Sequence, residues 1–242
     1  MKPIAQSVAA AVETLATKIQ TLTVTKSCYV CGHSFETRAG AMAQYVKTCQ
    51  PCLDKQGDED RARHKREEEY RRQLEWLSLC PKDYLTITQD KLPIPGKLDE
   101  ILRWEFGPKG LVLFGDTGRG KTRCAWALLA REHASGRTVA SLDSMAGLEY
   151  AALYAESAKL VKKWADKLIF SDILILDDIF KVKLTDSFEG AVFTLVDQRI
   201  QNQRPTFVTS NDTGATLAAR MTQDRGNPLL RRLREHCIQI NF

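Results

Sequence analysis

A chain of 242 residues, 43% hydrophobic and 27% charged, has the composition of a soluble globular protein with room for one α/β domain and a small appendage. No apolar run reaches the roughly 18 residues of a membrane span, and Gln6, Glu13 and Gln20 interrupt the N-terminus as a secretory leader, which points to the cytoplasm. The net charge of +5 suits a surface of mixed sign and is compatible with nucleic acid, while seven cysteines in a cytosolic chain argue against a disulfide framework and toward metal.

In chain order, residues 1–24 read as a helix, because Ile4, Val8, Val12, Leu15, Ile19 and Leu22 recur at steps of three and four and form one apolar stripe. That stripe either packs on the chain's own metal module or docks another protein. Cys28-Tyr29-Val30-Cys31 and Cys49-Gln50-Pro51-Cys52 follow, with 17 residues between the two pairs, a spacing typical of zinc sites. Each pair turns two thiolates toward one Zn²⁺, and four thiolates close a tetrahedral shell with no position left for chemistry, so the site is structural. His33 lies nearby as an outer or surface residue. From Asp54 to Glu75 charges of both signs dominate, with Arg63/Glu67, Lys65/Glu69, Glu67/Arg71 and Glu68/Arg72 at helical i,i+4 spacing, and Pro81, Pro93, Pro95 and Gly96 mark a linker. The expected organisation is an N-terminal helix and zinc module over residues 1–60, a charged helix and linker over 61–96, and an α/β domain over 97–242.

In that last region Leu111–Phe114, Thr138–Leu142, Ile173–Leu176, Thr206–Thr209 and Cys237–Ile240 look like five strands separated by helices, the pattern of a parallel sheet covered on both faces. Gly115-Asp116-Thr117-Gly118-Arg119-Gly120-Lys121-Thr122 matches the phosphate-binding loop GxxxxGK followed by Ser or Thr. It sits between the strand ending at Phe114 and the helical run Arg123–His133. Its backbone N–H groups would wrap the phosphates of ATP, with Lys121 on the β- and γ-phosphates and Thr122 holding Mg²⁺. The apolar strand Ile173–Leu176 ends in Asp177 and Asp178. Asp177 is expected to fix Mg²⁺ and Asp178 to polarise the attacking water. Asp178 is one methylene shorter than glutamate, which favours slow turnover. Thr209-Ser210-Asn211 closes the next strand at the sheet edge where ligands sit, so Asn211 is expected to reach the lytic water or the γ-phosphate. After Asn227-Pro228 a short helix buries Leu229, Leu230 and Leu233 and presents Arg231, Arg232 and Arg234, either as a basic solvent face or as a finger reaching a neighbouring subunit.

The segments GDTGRGKT, ILILDD, RPTFVTSN and NPLLRRLREH, together with Cys80-Pro81-Lys82-Asp83-Tyr84, resemble the DnaC/IstB group of AAA+ ATPases over roughly residues 80–242. The resemblance implies a P-loop AAA+ core, with Lys121 and Thr122 on Walker A, Asp177 and Asp178 on Walker B, Asn211 on sensor 1 and Arg232 on the arginine finger. The chain departs from that pattern at its end: it stops at Phe242, just after the last strand, so the C-terminal helical lid and its sensor 2 arginine are expected to be missing. Further implied are an ATP-dependent homo-oligomer, a hexameric replicative helicase as partner, contact with single-stranded DNA, and no membrane. DNA contact falls on Leu148–Trp164, where Lys159, Lys162 and Lys163 lie near Tyr154 and Trp164. The expected function is ATP-dependent loading of the replicative helicase. The alternatives are an IstB-like transposition helper with a transposase partner, and an adaptor that uses ATP as a switch without hydrolysing it.

Overall fold

A computed structural model describes residues 23–88, 90, 92–182, 184–222 and 226–242. The apolar stripe from Ile4 to Leu22 lies outside these residues. Thr23 and Val24, read as the end of that helix, instead open a strand. The described residues fall into two compact units that divide between Gln73 and Leu74.

In the first unit, β1 (Thr23–Ser27) pairs antiparallel with β2 (Ser34–Arg38), from Thr23 opposite Arg38 to Ser27 opposite Ser34. This hairpin has no strong sequence signature, since Thr-Val-Thr-Lys-Ser and Ser-Phe-Glu-Thr-Arg each carry a single large apolar residue. Its turn holds the first cysteine pair, with Gly32 N–H donating to the Cys28 carbonyl at 2.9 Å and Cys28 N–H to that of His33 at 2.8 Å. Helix α1 (Gln50–Leu79) begins inside the second pair, earlier than the charge pattern alone suggests, and buries none of its side chains. Of the expected i,i+4 pairs, Lys65–Glu69 forms at 4.0 Å, whereas Arg63 turns back to Asp60 and Arg71 to Glu68 at i,i+3. The shorter step wins because the forked guanidinium reaches a carboxylate one turn earlier with less extension. Pairs this exposed stabilise by only about 0.5 kcal/mol each.

The second unit is built on five parallel strands: β3 (Gly110–Phe114), β4 (Val139–Asp143), β5 (Ile173–Asp177), β6 (Thr206–Ser210) and β7 (Cys237–Asn241), arranged β4–β5–β6–β3–β7. All five expected strands are present, each within one residue of the expected start. Between them run α2 (Lys97–Leu102, ahead of β3), α3 (Lys121–Ala134), α4 (Ser144–Glu156), α5 (Ala158–Phe170), α6 (Asp186–Gln201), α7 (Gly214–Arg220) and α8 (Gly226–His236). Strand β5 explains why the run Ile-Leu-Ile-Leu is apolar without a break. Ile173 and Ile175 face a core shared with α2 and α3, and Leu174 and Leu176 face a second core shared with α4, α5, α6 and α8. A strand buried on both faces has no polar side to show. Among the described residues no helix is long and apolar enough to cross a membrane.

One buried charge ties the second core together. Arg199 of α6 is fully buried and donates to the carbonyls of Leu168 (2.6 Å), Ile169 (3.0 Å), Ser171 (3.0 Å) and Pro205 (2.7 Å). Those carbonyls belong to the C-terminal end of α5 and the entry to β6, where the helix leaves acceptors without partners and its dipole favours a cation. Burial pulls the guanidinium pKa down to about 9, so the hydrogen bonds keep a charge where solvation does not.

Candidate functional site

The phosphate-binding loop runs from the end of β3 to the start of α3, and its glycines have separate physical reasons. Gly115 has φ +136°, and a Cβ there would lie 2.4 Å from the carbonyl oxygen of Phe242. Gly120, at φ +94°, precedes the helix, and a Cβ there would press on Leu92 and Pro93 at 3.2 Å. Lys121 follows, almost completely buried. Its ammonium donates to the carbonyls of Gly115 and Asp116, both at 2.8 Å, and to Asn211 Oδ1 at 2.9 Å. Burial lowers its pKa, opposed by the charges of Asp178, Asp116 and Asp177. A triphosphate offers this ammonium stronger, charged acceptors in place of neutral carbonyls.

Strand β5 delivers the two carboxylates beside the loop. Thr122 Oγ1 donates to Asp177 Oδ1 at 2.8 Å, and the Thr209 hydroxyl donates to the same oxygen at 2.6 Å. Asp178 then turns left-handed (φ 47°, ψ 31°) and starts the 3-10 turn Ile179–Lys181. For a residue other than glycine that conformation costs about 1 kcal/mol. The Asp178 N–H donates to Thr209 Oγ1 at 2.8 Å. Burial, then the adjacent Asp177 charge, pushes the Asp178 carboxyl above its ordinary range, with Lys121 and Lys181 pulling the other way.

A cavity of about 480 Å³ joins these parts. Thr117, Gly118, Gly120, Lys121, Thr122, Asp178 and Asn211 line one side, and Tyr84, Asp90, Leu92 and Pro93 line the other. The first group is what the motifs announce. The second comes from the linker, where the sequence signals a break between domains and gives no sign that it borders the loop. The side chains suit a nucleotide and its cation: a buried ammonium and N–H-bearing loop for phosphates, and a hydroxyl and carboxylate joined at 2.8 Å for Mg²⁺. Thr122 gives its proton to Asp177, which leaves its oxygen lone pairs as the ligand.

Arg232 is not among the residues lining this cavity. Its Nη2 pairs with Asp197 Oδ1 of α6 at 2.8 Å and its guanidinium lies 5.2 Å from the Phe193 ring centre. Its Nε is buried without a hydrogen-bond partner among the described residues. Arg231 is exposed near Glu235 at 3.9 Å, and Arg234 lies over Gly214. On α5, Lys159, Lys162 and Lys163 are exposed. Of the aromatics beside them, Trp164 meets the buried Tyr150 edge-on at 5.5 Å and Tyr154 stacks on Tyr150 at 6.1 Å, both half-buried against the core.

In the first unit the four sulfurs of Cys28, Cys31, Cys49 and Cys52 all lie within 4.8 Å of one another, with Cys31 and Cys49 3.7 Å apart. Tetrahedral zinc with bonds of about 2.3 Å separates its sulfurs by about 3.8 Å, so the cluster fits the ion. Hydrogen bonding by backbone amides, that of Cys49 foremost, lowers the Cys28 thiol to about 6, while crowding by the thiols of Cys31 and Cys49 pushes Cys52 up to about 12. Four thiols this close thus resist full ionisation unless a cation compensates. His33 is exposed and takes no place among the four.

Residues 100–242 match the family described as IstB-like ATP binding protein. The chain belongs to that family. No curated protein sequence matches it significantly. Among solved structures, this IstB-like protein is similar to the DnaC helicase loader, with a TM-score of 0.56 and 20% identity over 67% of this chain and 99% of that one. It is also similar to DnaI, with 0.53 and 19% over 67% and 90%. AMPPCP-bound DnaA from Aquifex aeolicus matches with 0.52 and 15% over 67% of this chain and only 50% of that one. Identities this low establish a shared fold. The IstB-like chain is thus an ATP-binding P-loop protein with an AAA+ core and an N-terminal cysteine cluster suited to zinc.

Proposed function

We propose that this protein hydrolyses ATP, slowly and in response to assembly, and uses the cycle to load a hexameric replicative helicase onto single-stranded DNA. The observation that carries the ATPase reading is that Lys121, Thr122, Asp178 and Asn211 line one cavity, with Asp177 tied to its lining through the Thr122 hydroxyl at 2.8 Å. Lys121 exchanges its loop carbonyls for the β- and γ-phosphoryl oxygens. Thr122 and Asp177 hold Mg²⁺, which when bound neutralises charge developing on those oxygens. Asp178, its proton affinity raised by burial, accepts the proton of the attacking water. Asn211, with Oδ1 toward Lys121, presents its amide NH₂ to the γ-phosphate or that water. Arg232 serves the site of the neighbouring subunit once released from Asp197. The linker residues Leu92 and Pro93 form the apolar wall for the base.

The helicase assignment is supported by the shared fold of DnaC and DnaI and by a separate cysteine-bearing unit ahead of the ATPase core. Affinity capture with the intact chain is expected to recover the helicase, and removing residues 1–73 to abolish capture while Mg²⁺-dependent ATP binding survives. Capture that is indifferent to that deletion refutes the role given to the first unit.

The family itself favours a second reading, a transposition helper. Its ATP-bound assemblies should form on duplex DNA and recruit a transposase, whereas a loader prefers single strands. Sedimentation of the ATP-bound chain with each type of DNA separates the two.

A further inference from the structure

Beyond the residues given roles above, we infer that Thr209 is a positioning residue for ATP hydrolysis, a single buried hydroxyl that sets both carboxylates at the end of β5. The inference rests on the reading that Asp177 and Asp178 serve that reaction.

Thr209 lies on β6, where Leu176 of β5 pairs with Val208, so that Asp177 comes alongside Thr209. Its other neighbour in the sheet is Leu113 of β3, one residue before the loop strand ends. The residue is completely buried. A hydroxyl has one proton to give and lone pairs to receive, and here both functions go to the same pair of residues. The proton goes to Asp177 Oδ1 at 2.6 Å, and the oxygen accepts the Asp178 N–H at 2.8 Å.

The two bonds do different work. The first joins that of Thr122, at 2.8 Å, on the same Asp177 oxygen. That oxygen is therefore fixed by hydroxyls from two elements, one on α3 and one on the sheet. The second pins the peptide where the chain enters the left-handed conformation of Asp178, at φ 47°. That turn aims the Asp178 carboxyl into the cavity it lines. Without an acceptor, the Asp178 amide becomes a buried orphan and the strained peptide loses what holds it. Threonine suits the task better than serine because its β-branch restricts χ1 and so fixes the hydroxyl direction. Thr209 does not line the cavity, which makes it a residue that acts through its neighbours.

The test uses the full chain with Thr209→Val, Thr209→Ser, Asp178→Asn and the Val/Asn double variant. It measures single-turnover ATP hydrolysis, the Mg²⁺ concentration needed for binding a non-hydrolysable ATP analogue, and thermal melting. Outer-sphere partners of a metal site typically carry about 10–100-fold in affinity or activity. Thr209→Val is therefore expected to lose at least tenfold in rate and to need several-fold more Mg²⁺, with affinity for the analogue at saturating Mg²⁺ within about threefold of wild type. Thr209→Ser should recover most of both. In the Asp178→Asn background, Thr209→Val should cost no further rate yet still raise the Mg²⁺ requirement, a pattern that general loosening of the fold does not produce. Wild-type rate and Mg²⁺ requirement in Thr209→Val, or rate losses that multiply fully in the double variant, overturn the inference. Should Thr209→Val melt too low to assay, Thr209→Cys replaces it, keeping the size while weakening both hydrogen bonds, and a wild-type rate there also overturns it. A wild-type chain that binds no ATP, or hydrolysis that persists in Lys121→Ala, removes the ATPase reading and this inference with it. A normal wild type with an indifferent Thr209 removes the inference alone.

Discussion

Asp178 illustrates how an ordinary side chain acquires chemistry from its surroundings. Its carboxyl titrates above the ordinary value because burial and Asp177 both disfavour the charged form. Two consequences have opposite signs. As a base it must be ionised, so the single-turnover rate should fall as pH drops through this raised pKa, and the acid limb should lie above that of an exposed aspartate. The folded nucleotide-free protein, holding this proton more tightly than the unfolded chain, should gain stability over the same descent. A rate profile from pH 4 to 8 beside melting temperatures in the same buffers checks both, and a flat acid limb rejects Asp178 as the base. Arg232 makes a second residue-level point. It pairs with Asp197 at 2.8 Å and does not line its own cavity, so the finger role proposed for it is one in a second copy. Lys121→Ala and Arg232→Ala subunits, each inactive alone, should regain part of the hydrolysis when mixed, because one mixed interface joins an intact loop to an intact finger. Failure of mixing to restore any activity contradicts a role in the neighbouring subunit.

At the level of elements, the two buried faces of β5 and the cap on α5 account for how the site is held. Arg199 satisfies four carbonyls at the α5 terminus and the β6 entry. Arg199→Leu, close in apolar volume but without donors, leaves the Leu168 carbonyl only the Ser171 hydroxyl and that of Pro205 only the Leu174 N–H, and a loss of about 3 kcal/mol is expected from denaturant unfolding. Because β6 carries Thr209 and Asn211 follows it, ATP binding should weaken in the same variant. The cysteine cluster is a second such element. The short hairpin β1–β2 buries too little apolar surface to stand without help, and the buried residues described in its unit are Cys28 of the hairpin and Cys49 just ahead of α1. One zinc per chain is expected by elemental analysis. Chelation should abolish the protection of the amides of Cys28 and Gly32 against hydrogen exchange while leaving those of β5 protected. Full protection without metal contradicts a structural role for it.

Across the whole molecule, a unit bearing the four-cysteine cluster and a unit bearing the P-loop divide at Gln73 and Leu74. The five strands, the loop and the cysteine pairs were legible in the chain because each is written in contiguous residues. An apolar run long enough to span a sheet, eight residues that wrap a phosphate, and two thiols one turn apart are local statements. Asp177 and Asp178 were legible for the same reason, as the polar end of an apolar strand. The hairpin around Cys28 was not, since its strands carry no alternating hydrophobicity and its turn is made by the cysteine pair. Nor were the ring contacts that Tyr154 and Trp164 make with the buried Tyr150. The contacts that make the site work are of another kind: Lys121 with Asn211, Asp178 with Thr209, Arg232 with Asp197, and Gly120 with Leu92 and Pro93. In each, the partners lie from 27 to 90 residues apart or meet across different elements. Hydrogen bonds and ion pairs depend on distances of about 3 Å, and linear spacing does not encode such distances once strands are laid side by side in an order unlike their order in the chain. Chemical type is a property of residues and their near neighbours. The aim of that chemistry belongs to the folded sheet.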